Sequence, residues 1–185
     1  QTQQILQARY PHLHIYKNQS DLHYHLTSLY TFKHPLSPHL PFKIQTHHQF
    51  NHQTIIHKLQ SLQPQFDIIL IQPPARIPLP IYQYTHHFYI TTHLIKHTSH
   101  FILTLLPSKL PPINHPILHH KYIHHHQLPP NLLIINNYTH TPIQHHNLHT
   151  IQKLTHNSLY TLPHQSTQQT FSQPFIQPII APSNP

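Results

Sequence analysis

Phe66-Asp67-Ile68-Ile69-Leu70-Ile71 runs directly into Gln72-Pro73-Pro74-Ala75-Arg76. The first six residues form a short continuous apolar run of the kind a strand buried in a parallel sheet presents. The run then stops at a polar side chain and a Pro-rich turn, where a strand would hand over to a loop. Asp67 stands at the entrance of the run and reads as an edge or turn residue.

Further runs lie downstream. Phe101 to Leu106 (FILTLL) is a second apolar stretch, Leu132 to Ile135 leading into Asn136 is a third, and Ser158 to Leu162 reads as a fourth strand. Between them, apolar residues recur with helical spacing. Asn51 to Leu62 places Ile55, Ile56, Leu59 and Leu62 on one face, and further helices are predicted at about 113–126, 143–156 and 167–180. Strands alternating with helices predict an α/β fold, a parallel sheet with helices on both faces, in one domain spanning 1–185. In such sheets ligands bind beyond the carboxyl ends of the strands, so the segments after each strand are the place to seek chemistry.

Composition sets limits on that chemistry. The chain has 185 residues and no Cys, which removes disulfides, thiolate nucleophiles and Cys-based zinc sites. No apolar run reaches 18 residues, and no signal pattern opens the chain, so a cytoplasmic protein with no membrane partner is expected. The net charge of +8 arises from a shortage of acids, since only ten Lys and Arg occur beside two Asp. No basic cluster is interleaved with aromatics, so nucleic acid is not an expected partner.

Gly is absent, whereas Pro numbers 21 and His 27. One hypothesis covers all three features. Apart from Ala8, Arg9, Asp21, Asp67, Ala75, Arg76 and Ala181, every residue is of a type that can be encoded without guanine. If C stood where G had been, Gly and Ala codons would read Pro, Asp would read His, and Glu would read Gln or His. Resequencing the source DNA tests this. On that reading Gln72 to Arg76 becomes Glu-Gly-Ala-Gly-Gly, a carboxylate followed by bare backbone, which suits a cation and a phosphate.

The run with its loop, FDIILIQPPARIPLPI, resembles the strand–EGAGG–hydrophobic–Pro segment of the dethiobiotin synthetases. Tyr30-Thr31-Phe32-Lys33 and Ser37-Pro38-His39 resemble the YTF…SPH stretch of that family. Ser108 to His115 resembles its KLG-x-INH loop, Asn136-Asn137-Tyr138-Thr139 its Asn-containing loop, and Thr161 to His164 the segment near its last strand. The matches fall in family order along the chain.

The resemblance implies a P-loop NTPase-like fold lacking its first βα unit, a homodimer, and use of ATP and Mg²⁺. It implies that 7,8-diaminononanoate takes up CO₂ as a carbamate, that ATP phosphorylates it, and that the neighbouring amine closes the ring. By position, it places Gln72 at the family's Mg²⁺-binding Glu and Pro73, Pro74 and Ala75 at its phosphate-side loop. It places Asn136 and Asn137 at adenine recognition, Pro163, His164 and Gln165 at closure over the nucleotide, and Pro111, Pro112, Ile113 and Asn114 at the loop that reaches the substrate carboxylate. The family's P-loop and catalytic Lys would precede Gln1, so no catalytic residue is expected within the chain. Gln72 is also neutral. The chain as written is therefore expected to be inactive.

A rival reading takes the histidines at face value, as a His-rich metal-binding protein without catalysis. The segment from His119 to His126 is its best feature, but the histidines elsewhere are scattered at no repeated ligand spacing. Two expectations concern stability. Every position that needs a positive φ must be filled without Gly, and Pro116, Pro174 and Pro178 would each cost about 3 kcal/mol if they lie inside helices.

Overall fold

The computed structural model describes residues 22–23, 26, 28–30, 32, 39–45, 49–73, 77–107 and 113–164. The chain divides into two compact units, 1–99 and 100–185.

The first unit is organised by aromatic packing. Helix α1 (His39–Ile44) and helix α2 (His52–Leu62) precede a short antiparallel hairpin, β1 (Pro80–Gln83) and β2 (Phe88–Ile90), and helix α3 (Thr91–Thr98) follows. Helix α2 starts where expected, because Asn51 caps it: its side chain accepts the Gln53 N–H at 2.9 Å. The core gathers Tyr30, Phe32, Phe42, Phe50, Ile81, Tyr89 and Leu94. Phe42 is its hub, with edge-to-face contacts to Tyr30, Phe32, Phe50 and Tyr82 at centroid distances of 4.8–5.5 Å. Burial, followed by the charge of Tyr84, pushes the Tyr89 phenol up to about 12. Its hydroxyl therefore stays protonated in hydrogen-bonding reach of His97 Nδ1, at 3.1 Å.

The expected strand at 66–71 is corrected by the structure. This stretch belongs to no sheet, and Ile68 and Leu70 are 50% and 69% exposed. Ile68 to Ile71 all line an apolar cavity of about 440 Å³ with Ile55, Leu59 and Leu62, and of the four only Ile69 and Ile71 are half-buried. The period-two alternation of a strand is present. The ladder is not, because no described segment of this unit hydrogen-bonds alongside it. Asp67 is exposed at its entrance, in keeping with an edge residue.

The second unit carries the parallel sheet. Strands β3 (Ile102–Pro107), β4 (Asn131–Tyr138) and β5 (Leu159–Pro163) lie in the order β3-β4-β5, all parallel. Helix α4 (Asn114–His125) connects the first pair and helix α5 (Pro142–Thr155) the second. Each lies within a residue or two of its predicted span. β4 is the central strand, and Leu132 to Ile135 are all buried, as a strand covered on both faces requires. Leu106, Leu133, Ile135, Tyr138 and Ile151 form the core. A Thr104 Oγ1–His119 Nε2 hydrogen bond of 2.9 Å fastens α4 to β3.

Pro116 lies in the first turn of α4, where the backbone N–H has no intrahelical partner to lose. The helix-interior cost expected for it therefore does not arise. Pro174, Pro178 and the predicted helix at 167–180 lie outside the described residues.

Candidate functional site

The carboxyl edge of the second unit's sheet is built by an irregularity in β4. Its register with β5 runs one to one from Leu133↔Leu159 to Ile135↔Thr161, then resumes at Tyr138↔Pro163. Three steps along β4 thus match two along β5, and the extra residue is a β-bulge at Asn136–Asn137. Asn137 takes φ 59°, a left-handed conformation that Asn tolerates better than most side chains.

The bulge has a packing consequence. In a regular strand Tyr138 would face away from Leu133 and Ile135. The added residue turns it back, and all three share one core. Asn136 and Asn137 are left at the rim, half-buried and exposed respectively. Asn136 Oδ1 accepts the Asn137 N–H at 2.9 Å, so one amide stiffens the backbone that presents the other.

The chain continues as Thr139-His140-Thr141 into α5. His140 adopts φ 59° and packs edge-on to Tyr138 at 4.6 Å. Thr141 caps the helix, its Oγ1 accepting the Gln144 N–H at 3.3 Å, and Pro142 occupies the first helical position. Gln144 Oε1 accepts from both the amide and the hydroxyl of Thr139, at 2.9 and 3.0 Å. Thr139 falls within the quoted Asn-containing stretch, but Gln144 was not singled out from the sequence, although Thr141-x-x-Gln144 has the capping-box pattern that could have flagged it.

The remaining predicted residues fall as follows. Pro163 and His164 are exposed at the end of β5, and the His164 N–H donates to Tyr138 O at 3.1 Å, which brings them beside the bulge. Ile113 packs on the second unit's core and Asn114 begins α4, exposed. Gln72 is exposed and Pro73 half-buried, both in the first unit. Pro74, Ala75, Pro111, Pro112 and Gln165 lie outside the described residues.

The donor chemistry separates two ligands. Paired amides at the edge of a parallel sheet fit a nucleobase, which both donates and accepts in its plane. Mg²⁺ is not fitted, because it requires charged oxygen ligands. Gln72 offers a neutral amide, Asp67 is exposed ahead of its apolar run, and Pro73 lacks an N–H for a phosphate. Among the described residues there is no group of three or more His, Asp or Glu that could hold a metal ion. Burial, reinforced by neighbouring histidines, holds the His119 and His120 imidazoles below their ordinary value. Among the same residues no helix is long and apolar enough to cross a membrane.

No protein-family profile matches the chain. Two proteins named ATP-dependent dethiobiotin synthetase BioD, from Staphylococcus epidermidis strains ATCC 35984 and ATCC 12228, are each 61% identical to it over 184 residues. These alignments cover the whole chain and 82% of each relative. A protein of the same name from Clostridium botulinum strain Eklund 17B is 32% identical over 133 residues, covering 71% of this chain and 58% of the relative. These relatives lend no support to inactivity or to a purely metal-binding role. A 61% identity sustained along the full chain, together with a parallel α/β sheet, places the protein: it belongs to the ATP-dependent dethiobiotin synthetase family.

Proposed function

We propose that the chain is an ATP-dependent dethiobiotin synthetase that acts on a vicinal diamine, 7,8-diaminononanoate, and CO₂. The observation that carries this reading is the 61% identity over the entire chain to relatives bearing that name. In the reaction one amine adds to CO₂ as a carbamate, whose oxygen takes the γ-phosphoryl group of ATP. The second amine then attacks the carbonyl carbon and expels phosphate as the ureido ring closes.

The residues have separate tasks in this reading. Asn136 and Asn137 meet the adenine edge, supported by their place after the central strand and by the bulge that holds them at the rim. Pro163 and His164 lie over the nucleotide, supported by the His164–Tyr138 hydrogen bond beside that bulge. Asn114 with the loop before it reaches the substrate carboxylate. Mg²⁺ dependence, a homodimeric state and a cytoplasmic location rest on the family resemblance, and Gln72 is the residue least suited to its part.

The test is direct. The purified chain is incubated with 7,8-diaminononanoate, bicarbonate and MgATP, and dethiobiotin is measured by mass spectrometry alongside ADP release. ATP-dependent formation of the ring is the expected result. Saturable ATP binding without any ring formation would confine the chain to nucleotide recognition, and the absence of both would overturn the reading.

A further inference from the structure

Gln144 is a helix residue whose side-chain oxygen reaches out of its helix. In a capping box the third residue returns to the N-cap backbone and satisfies an N–H there. Half of that arrangement is present, since Thr141 Oγ1 accepts the Gln144 N–H. The other half is diverted. Gln144 Oε1 reaches past Thr141 and His140 and accepts two hydrogen bonds from Thr139, from N at 2.9 Å and from Oγ1 at 3.0 Å.

Thr139 is the second residue after Asn137, the left-handed bulge residue, and the first after Tyr138, which is buried in the core. The segment from Asn137 to the helix is thus tied at successive points: Tyr138 by burial, Thr139 by Gln144, His140 by its ring contact with Tyr138, and Thr141 by the cap. Thr139 is exposed, so its tether is what keeps water from taking its backbone amide. A side-chain amide discriminates between bases only if its plane is fixed, because rotation exchanges donor and acceptor. A bulge without a Gly, carrying a positive φ, needs support from its neighbours to stay in one conformation.

We infer that Gln144 is a positioning residue that fixes the pitch of the Asn136–Asn137 bulge and thereby sets selectivity for adenine over guanine nucleotides. This rests on the base-recognition role proposed above. Gln144 itself touches no base, and its effect passes through Thr139.

The experiment compares ATP and GTP binding by titration calorimetry for the unmodified chain and for Gln144→Ala, Gln144→Glu and Thr141→Ala. The unmodified chain is expected to prefer ATP. Gln144→Ala is expected to lose about tenfold of that preference, the equivalent of one ordered hydrogen bond. Gln144→Glu keeps both acceptor contacts to Thr139 and is expected to retain the preference. Thr141→Ala removes the helix cap and is expected to lower the thermal midpoint while leaving the ATP:GTP ratio in place. If the unmodified chain binds ATP and GTP equally, the base-recognition reading fails first. If it prefers ATP and Gln144→Ala keeps the full preference, or if Thr141→Ala loses as much of it, the positioning role is wrong and the base-recognition reading stands.

Discussion

The Leu128 N–H donates to Ile123 O at 3.0 Å, while the Gln127 N–H donates to His124 O at 3.1 Å. Together these bonds close α4 in a Schellman turn, with Leu128 and Ile123 both buried. The turn drives Gln127 to φ 50°, in the left-handed region. Gly is the usual occupant because a Cβ there costs about 1–2 kcal/mol. Gln127→Gly is therefore expected to stabilise the second unit by a net of about 0.5–1 kcal/mol, after allowing for the extra freedom Gly gives the unfolded chain. Urea titration followed by far-ultraviolet circular dichroism measures it, with Gln127→Ala as the control that keeps the Cβ. His156, at φ 53° after α5, should respond in the same direction to His156→Gly. An unchanged midpoint in both variants would show that the missing glycines are not a burden at these turns.

The second unit was largely legible in the sequence because its signal is apolar periodicity, which needs neither Gly nor acids. Strands β3 to β5 and helices α4 and α5 each match a predicted segment. The first unit was less so. The hairpin of β1 and β2 is only four and three residues long, too short for alternation to register. Residues 66–71 have strand-like side chains, but pairing depends on a neighbour that a local pattern cannot specify. At the candidate site, Asn136 and Asn137 were found through resemblance. The bulge was not, since an added residue shows only in the register between strands. Gln144 was missed for a related reason: its pattern announces a cap, and its actual partner lies two residues upstream of the cap.

Acid should weaken the second unit through two half-buried histidines. His119 is held below the ordinary imidazole value of 6.5 first by burial, then by His115 and His120. His120 is lowered first by burial, then by His124 and His156. Well above 6.5 both folded and unfolded imidazoles are neutral, and no pH dependence arises from them. Below it the unfolded chain takes up protons that the folded unit refuses, so stability falls as pH drops toward the folded-state value. His119→Gln can keep a partner for Thr104 Oγ1 but does not titrate. The fall in melting temperature between about pH 7.5 and about pH 5 should be smaller in this variant than in the unmodified chain. A fall of equal size in both would remove His119 as a contributor.

Tyr30 ties the aromatic core to the start of α2. Its hydroxyl accepts the Asn51 N–H at 3.1 Å and donates to Asn51 O at 3.3 Å. Asn51 is also the residue that caps the helix. Tyr30→Phe keeps the ring packing and leaves both backbone groups to find water, for an expected loss of about 1–2 kcal/mol. Phe42→Ala removes the hub and should cost about 3–5 kcal/mol. With no Trp in the chain and seven of the ten Tyr within residues 1–99, near-ultraviolet circular dichroism of the tyrosines reports chiefly the first unit. Equal, small losses in the two variants would mean that this core is loosely packed.

Gln72 offers the clearest test of how the neutral alphabet limits chemistry. It is exposed and follows directly on the apolar run, so a change of charge there places no new charge in a core. A carboxylate at this point would give Mg²⁺ a charged ligand, whereas the amide gives only a dipole. Gln72→Glu is therefore expected to make MgATP binding about tenfold tighter. Binding measured in excess EDTA should not improve, because an added negative charge repels the bare nucleotide. Calorimetric titrations with MgATP and with ATP in EDTA separate the two effects. If the variant binds MgATP no better than the unmodified chain does, residue 72 is not the cation-side position, and the assignment carried by the Gln72 to Arg76 segment falls.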